Sequence, residues 1–127
     1  MKNKKVLVAD RSETCNMLVE YYLKTAGVDK NNITLVNDGV QALEVAKKEL
    51  FDLIILSPYK LGMDAVELAT EIKSQHKENP PKIIEFTSGA VGYKPQAVFD
   101  TFIFKPTTAE IFSERLSEVL GSDEEKE

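Results

Sequence analysis

The sequence contains a single cysteine, a single histidine and no tryptophan. The one cysteine, Cys15, excludes an internal disulfide and a cysteine-based metal cluster, and we interpret it as a small buried hydrophobic residue. No apolar segment reaches the ~18 residues of a membrane-spanning helix, and no signal-peptide pattern follows the opening MKNKK. These absences favour a cytoplasmic protein that makes no contact with a membrane.

Basic clusters and phosphate-binding loops are also missing. The formal net charge of −5 argues against a sequence-independent nucleic-acid surface, because phosphate contacts need clustered Lys and Arg. Neither a GxGxxG nor a GxxxxGKS/T motif occurs, and the stretch ADRSETC lacks the glycines of a phosphate-binding loop. We therefore expect no cofactor and no nucleic-acid partner.

The sequence does contain a regular alternation of strand-like and helix-like segments. Its 127 residues, of which 43% are hydrophobic, suffice for one domain over residues 1–121, followed by an acidic tail at 122–127. The predicted strands lie at residues 6–9, 33–36, 53–56, 82–86 and 102–104. Five β–α units predict an α/β fold, a five-stranded parallel sheet with helices on both faces.

Capping residues and apolar spacing predict where the helices begin and which faces they bury. The predicted N-caps are Ser12, Asp38, Asp64 and Thr107. The predicted inward residues are Cys15, Leu18, Val19 and Tyr22, then Leu43, Ala46 and Leu50, then Ala65, Leu68, Ala69 and Ile72, and finally Phe112, Leu116, Val119 and Leu120. These faces should cover the sheet.

Polar residues gather where the predicted strands end. The set comprises Asp10, Arg11, Ser57, Thr87, Ser88 and Lys105. Because the carboxyl ends of parallel strands meet at one edge of a sheet, we expect these side chains to form one site.

These positions and their flanks resemble the receiver domain of bacterial response regulators, the CheY-like family. The stretches KVLVADRSE, FDLIILSPYKLGMD, IIEFTS and FIFKP match that family in place and order, and together they cover residues 4 to 120. The resemblance implies a flavodoxin-like (βα)5 fold. It also implies a site in which two acids hold magnesium and an aspartate accepts a phosphoryl group.

Carried over position by position, the resemblance assigns a place to each strand-end residue. The two acidic positions, the phosphoacceptor and a metal-binding carbonyl fall on Asp10, Arg11, Ser57 and Tyr59. The switch hydroxyl, the switch aromatic and the lysine fall on Thr87, Phe102 and Lys105. The sequence thus departs from the family at two positions, where Arg11 replaces an acid and Ser57 replaces the phosphoacceptor aspartate.

Both departures change the charge of the site. The family's pocket has three carboxylates and one lysine, formally −2, whereas Asp10, Arg11 and Lys105 sum to +1. We therefore expect no magnesium binding, with Arg11 or a water-mediated link from Lys105 filling the metal position. Ser57 also lacks a base, because the one histidine, His76, lies at the polar end of the third helix.

Two further interpretations stay open at these positions. Thr87 and Lys105 either take part in a conformational switch or only form hydrogen bonds with Ser57 and nearby carbonyls. Asp10 and Arg11 form either a surface pair or a local replacement of the cation site.

The connection between the fourth and fifth predicted strands is short for the family. It contains Gly89, Gly92 and Pro95, and the resemblance implies about one helical turn more. We predict a shortened fourth helix after Pro95 and hence an altered partner surface. The resemblance also predicts a cis Lys105–Pro106 bond.

The function predicted from these observations is that of a pseudo-receiver, which acts in signal transduction without phosphorylation and is not an enzyme. Its partner is expected in trans, as a signalling protein or sensor kinase, and the sequence leaves monomer and homodimer open. The alternatives are a small-ligand or anion sensor that uses Arg11 and Lys105, and a regulator that is still phosphorylated.

Overall fold

A computed structural model describes residues 1–89 and 92–121, which contain one parallel sheet of five strands. The strands are β1 (Val6–Ala9), β2 (Ile33–Val36), β3 (Leu53–Leu56), β4 (Lys82–Thr87) and β5 (Thr101–Phe104). Their order across the sheet is β2-β1-β3-β4-β5. Every residue of β1 and β3 is buried, as expected for internal strands covered on both faces.

Four helices in the described residues cover the two faces of this sheet. They are α1 (Glu13–Thr25), α2 (Gly39–Lys48), α3 (Ala65–Gln75) and α4 (Ala109–Leu120). On one face, α1 and α4 bury Val19, Leu23, Phe112 and Leu116. On the other face, α2 and α3 bury Ala42, Ala46, Leu68 and Ile72. The predicted flavodoxin-like α/β fold is confirmed.

Three of the four predicted helix caps are confirmed. Ser12, Asp38 and Asp64 each accept a hydrogen bond from a backbone amide in the first turn of their helix. The fourth prediction is wrong by one residue, since Thr108 rather than Thr107 caps α4 and accepts from the Ile111 amide. The Thr107 carbonyl instead accepts from the Tyr22 hydroxyl, which holds this residue outside the helix.

The predicted shortened fourth helix is not formed in the described residues between β4 and β5. This connection is a loop with a turn in which the Phe99 amide donates to the Gln96 carbonyl. Gly89 and Gly92 have φ of +69° and +81°, a left-handed conformation that a right-handed helix does not use. Phe99 then enters the core and the Asp100 amide bonds the Ile83 carbonyl, so too few residues remain for a helix.

Two predicted inward residues are exposed and a third is only partly buried. Leu18 and Leu50 expose 44% and 59% of their surface, and Cys15 is only partly buried. The inner face of α1 contains Asn16, whose amide nitrogen donates to the Asp10 and Val36 carbonyls. A polar residue with backbone partners can be buried, and a hydrophobic periodicity cannot reveal that.

Two further points concern membrane-spanning helices and the end of the chain. No helix in residues 1–89 and 92–121 is long and apolar enough to cross a membrane. The predicted acidic tail at 122–127 lies outside the described residues.

Gly89→Ala is expected to destabilise the fold more than Gly92→Ala. Both glycines have positive φ, so alanine strains each backbone by about 1–2 kcal/mol. Only at Gly89 does the added Cβ lie 2.7 Å from Cδ1 of Phe104, and this crowding should cost about 1–3 kcal/mol more. Urea denaturation of the two variants measures the difference. Equal losses would show that the Phe104 ring moves aside freely.

Candidate functional site

Three side chains from the carboxyl ends of β1, β3 and β5 meet in one buried cluster. The Ser57 hydroxyl donates to Oδ2 of Asp10 at 2.5 Å, and Nζ of Lys105 donates to the same oxygen at 3.0 Å. Asp10 and Ser57 expose only 4% and 2% of their surface. The sequence analysis correctly predicted that these three residues meet, because the carboxyl ends of parallel strands lie at one edge of a sheet.

Backbone hydrogen bonds fix the three positions. The Ser57 amide donates to the Ala9 carbonyl at 3.0 Å, and the Asp10 amide donates to the Val36 carbonyl at 3.2 Å. The Lys105 amide donates to the Thr87 carbonyl at 2.8 Å, and the Lys105–Pro106 bond is cis, as predicted. The side chains therefore leave rigid strand ends, and the cluster is preorganised.

Asp10 is the centre of this cluster and is surrounded by donors. Its Oδ1 accepts from the Ser12 amide at 2.9 Å, while Oδ2 accepts from Ser57 and Lys105. Burial alone would raise the pKa of Asp10, but hydrogen bonds from Cys15, Ser57, Ser12 and Lys105 outweigh it and hold the pKa below its ordinary value. Asp10 is therefore a charged hydrogen-bond acceptor and a weak base.

Cys15 is partly buried and packs against the core, in partial agreement with the sequence interpretation, but it also lies beside Asp10, which that interpretation missed. Burial, together with a hydrogen bond to the Asp10 carboxylate, raises the pKa of the Cys15 thiol to about 11. The thiol thus stays protonated beside the Asp10 carboxylate. The signal available in the sequence was its place in the first turn of the helix that follows Asp10, since that turn begins beside the end of β1.

Arg11 does not reach the centre of the site, so the prediction that its side chain fills the metal position is wrong. Its side chain is exposed and makes no hydrogen bond or ion pair within residues 1–89 and 92–121. Lys105 reaches Asp10 directly, with Nζ 3.0 Å from Oδ2. The reason is geometric, because successive residues of an extended chain point to opposite sides and Asp10 takes the inward direction.

Thr87 and Tyr59 border a cleft beside the cluster. The cleft has a volume of about 320 Å³ and is lined by Pro58, Tyr59, Phe86, Thr87, Ser88 and Lys105. Oγ1 of Thr87 accepts a long bond of 3.5 Å from the Gly89 amide, and Nζ of Lys105 lies 4.9 Å from the centroid of the Phe86 ring. Arg11 does not line this cleft, so the two cations predicted for an anion site do not share it.

Phe102 lies in an aromatic cluster with Phe104 of β5 and Tyr93 of the loop between β4 and β5. Its ring is 4.8 Å from that of Phe104 and 5.5 Å from that of Tyr93. The Tyr93 hydroxyl donates to the buried Glu85 carboxylate, and burial together with this bond raises the pKa of Tyr93. Sequence reasoning missed both Tyr93 and Glu85, since their contact depends on the path of the loop.

The residues of the site do not fit a magnesium ion. Magnesium requires several oxygen ligands in octahedral geometry, and Asp10 is the one carboxylate of the cluster. Both of its oxygens already accept hydrogen bonds from Ser12, Ser57 and Lys105. Within the described ranges no group of three His, Cys, Asp or Glu side chains is placed to hold a metal.

Known proteins are similar to this chain in both sequence and fold. No protein-family model matches it. It is 28% identical over 123 residues to the chemotaxis protein CheY-3 of Vibrio cholerae, covering 94% of this chain and 93% of that protein. It is 28% identical over 118 residues to the sensor protein EvgS of Escherichia coli, covering 90% of this chain and 9% of EvgS.

The fold comparison agrees with the sequence comparison. The structure of the chemotaxis response regulator CheY4 of Vibrio cholerae superimposes with a TM-score of 0.78 at 28% identity, covering 92% of this chain and 98% of CheY4. The strand order and the near full-length sequence similarity both indicate a receiver-like domain. In sequence and fold the chain is similar to the CheY-like receiver domains of response regulators in two-component signalling.

Proposed function

We propose that this receiver domain acts through protein–protein contact and is not switched by phosphorylation at the strand-end site. The observation that carries this proposal is the hydrogen bond from Ser57, at the family's phosphoacceptor position, to Asp10. In the family an aspartate at this position attacks the phosphodonor. Here a hydroxyl stands in its place and is already used as a donor within the fold.

Ser57 is poorly suited to accept a phosphoryl group itself. A serine nucleophile needs an adjacent base that removes its proton. Its partner Asp10 has a lowered pKa, and His76, at the carboxyl end of α3, bonds the Ala46 carbonyl on α2 instead. With 2% of its surface exposed, Ser57 is also screened from a phosphodonor. This supports a domain without catalytic activity.

The cluster instead stabilises one conformation. Asp10 and Lys105 connect the ends of β1 and β5, and Ser57 adds the end of β3. Hydrogen bonds to charged groups contribute about 1.5–3 kcal/mol each when buried, and the exposure of Lys105 places its bond at the low end. A site that is saturated by internal bonds has no vacant position for a switch, which supports a constitutive binding function.

A partner in trans follows from this proposal. The chain supplies a receiver domain with an acidic surface, and EvgS, a sensor protein, contains a segment similar to it. We infer a signalling protein, such as a sensor kinase, as the class of partner. A cytoplasmic location is proposed with it, since two-component phosphorelays and their regulators act there.

The wild-type chain is expected to remain unmodified when it is incubated with acetyl phosphate and magnesium. Position 57 carries no carboxylate, and the described residues contain no group of three His, Cys, Asp or Glu side chains placed to hold a metal. Intact-mass spectrometry measures the result, and a receiver with all acidic positions serves as the positive control. A phosphorylated species would contradict the proposal. Its stability to acid and alkali would tell a phosphoserine from an acyl phosphate.

A further inference from the structure

A small cavity lies between β5 and the loop segment 92–100 that precedes it. The cavity has a volume of about 160 Å³, and its lining includes Tyr93, Pro95, Phe99, Asp100 and Phe102. It shares no lining residue with the cleft beside the strand-end cluster. A cavity of about 150 Å³ is large enough to hold benzene, so this one has room for a small ligand.

Hydrogen bonds hold the loop segment against the sheet. The Tyr93 hydroxyl donates to the Glu85 carboxylate of β4. Oδ2 of Asp100 accepts from the Ile83 amide at 2.8 Å and from Nζ of Lys73 at 2.9 Å. The walls of the cavity are therefore already in place, and a ligand does not need to order them.

The Glu85 carboxylate is buried beside this cavity. Glu85 pairs with Phe102 in the register of β4 and β5 and bonds Tyr93, and both of these residues line the cavity. It exposes 8% of its surface and takes part in none of the ion pairs within residues 1–89 and 92–121. Lys94, the next residue after Tyr93, is exposed and does not line the cavity. Since a buried carboxylate is costly without a positive charge nearby, this position favours a cation.

Two further pairs of charged side chains lie around the cavity. Nζ of Lys73 is 2.9 Å from Oδ2 of Asp100, and Arg115 is 2.8 Å from a carboxylate oxygen of Glu118. The Arg115 guanidinium also lies over the Phe102 ring, 5.9 Å from its centroid, so this aromatic wall already attracts one cation. Because each pair is neutral, Glu85 adds a net negative charge, which matches a monovalent cation as ligand.

Tyr93 links Glu85 to the cavity. Burial and the bond to Glu85 raise the pKa of Tyr93, so its hydroxyl remains a donor. A hydroxyl that donates to a carboxylate is polarised, and this polarisation makes the face of the attached ring more negative. Cations are attracted to the negative faces of aromatic rings, and proteins bind quaternary ammonium groups with clustered aromatic side chains.

We propose that the cavity between β5 and residues 92–100 binds a small quaternary ammonium ligand. Its methylated nitrogen contacts the rings of Tyr93 and Phe102, and its charge compensates Glu85. A metal ion or a primary ammonium suits this site less, because each needs several oxygen acceptors that an aromatic wall does not supply. A neutral aromatic ligand fits the volume but leaves Glu85 without a counter-charge. The inference goes beyond the proposed function and does not use the strand-end site.

Choline is the probe for this proposal, and dimethylbutanol, which carries a tert-butyl group in place of trimethylammonium, is its neutral control. Titrated into the isotope-labelled chain, choline should shift the amide resonances of residues 92–102 in a saturable way. We expect it to bind at least about tenfold more tightly than dimethylbutanol, because only the cation is attracted to the ring faces and to Glu85. Equal binding of the two compounds, or the absence of saturable shifts with choline, overturns the proposal.

Two variants test the charge and the ring separately. Glu85→Gln keeps the shape of the side chain and an acceptor for the Tyr93 hydroxyl, so choline should bind roughly fivefold or more weakly while dimethylbutanol binds as before. Tyr93→Leu removes the ring and should abolish the choline shifts. Tyr21→Leu on α1 is the matched control, since Tyr21 is an exposed tyrosine outside the cavity.

Circular dichroism confirms that the variants are folded, and Glu85→Gln alone decides the matter if Tyr93→Leu is not. Equal losses of choline binding in Tyr93→Leu and Tyr21→Leu, or wild-type binding of choline by Glu85→Gln, overturn the proposal.

The same cationic group occurs in free small molecules and in the headgroup of phosphatidylcholine. Sedimentation of the chain with phosphatidylcholine vesicles distinguishes these sources. Choline binding without sedimentation supports the site with a free ligand. Sedimentation that choline displaces and that Glu85→Gln weakens supports the same site with the lipid headgroup as its ligand.

Discussion

The double variant Ser57→Asp, Arg11→Asp is expected to bind beryllofluoride with magnesium at least about tenfold more tightly than Ser57→Asp alone. Beryllofluoride stands in for the phosphoryl group of an aspartyl phosphate. In the single variant, the charges at positions 10, 11, 57 and 105 sum to zero. The double variant brings that sum to −2 and supplies the second acid that the family resemblance assigns to the metal.

Arg11 opposes metal binding for two separable reasons, its positive charge and the carboxylate that it replaces. Its exposed position means that water screens its charge in part. The variant Ser57→Asp, Arg11→Ala removes the charge without adding a ligand and is therefore the matched control. We expect it to bind more weakly than the double aspartate variant, because magnesium depends on direct oxygen ligands.

Fluorine NMR of the bound beryllofluoride, titrated with magnesium, measures these affinities. An equal response from all three variants would refute the role given to Arg11. Failure of the double aspartate variant would instead implicate the connection between β4 and β5. The Gly89 amide of that connection donates to Oγ1 of Thr87, and the Tyr93 hydroxyl donates to the Glu85 carboxylate of β4. Both contacts oppose a movement of Thr87 toward a phosphoryl group.

Asp10→Asn is expected to lower the free energy of unfolding by about 2–3 kcal/mol at neutral pH. The substitution keeps the shape of the side chain but removes the charge that Ser57, Lys105 and the Ser12 amide share. Lys105 retains contact with water, since 30% of its side chain is exposed, and this keeps the loss below that of a fully buried pair.

The loss should depend on pH in one direction. The folded state holds the pKa of Asp10 below its ordinary value, so the stabilisation is complete above the unfolded pKa of about 3.9. It disappears as the pH falls through the lower folded pKa. The difference between wild type and Asp10→Asn should therefore be constant from about pH 7 to about pH 5 and shrink below about pH 4.

Urea denaturation at several pH values tests this expectation. Asp52→Asn is the matched control, because Asp52 is an exposed carboxylate that accepts one backbone hydrogen bond from Lys5. It should cost less than about 1 kcal/mol. A loss at Asp10 that persists undiminished at strongly acidic pH, or that Asp52→Asn equals, would show that the Asp10 charge is not what stabilises the strand ends.

Local patterns determined the layers of this protein. The runs VLVA and LIIL are short, continuous and apolar, and they form the two fully buried strands β1 and β3. The stripe Ala65, Leu68, Ala69 and Ile72 is buried throughout α3. These features follow from periodicity, because the side-chain directions of a strand or helix repeat at a fixed interval. The meeting of Asp10, Ser57 and Lys105 also follows, since parallel strand ends share one edge.

The errors at the strand-end site share one cause, which is that they depend on how the chain passes from a strand to the element that follows it. Arg11 and Lys105 carry the same charge, and only the path of the chain after each strand decides which of them reaches Asp10. Cysteine is a residue type that is common in protein cores, but the start of α1 beside β1 places the Cys15 thiol next to the Asp10 carboxylate. No periodicity describes these short connections.

The sequence by itself determined the five strands, the four helices α1 to α4 and the identity of the residues at the strand ends. The tertiary structure alone decided that Asp10 is saturated by internal donors, and that a loop closed by Tyr93 replaces the helix between β4 and β5. Strands and helices arise from interactions between near neighbours, which a sequence displays. Hydrogen bonds between residues as distant as Asp10 and Lys105 exist only after the sheet has brought the strand ends together.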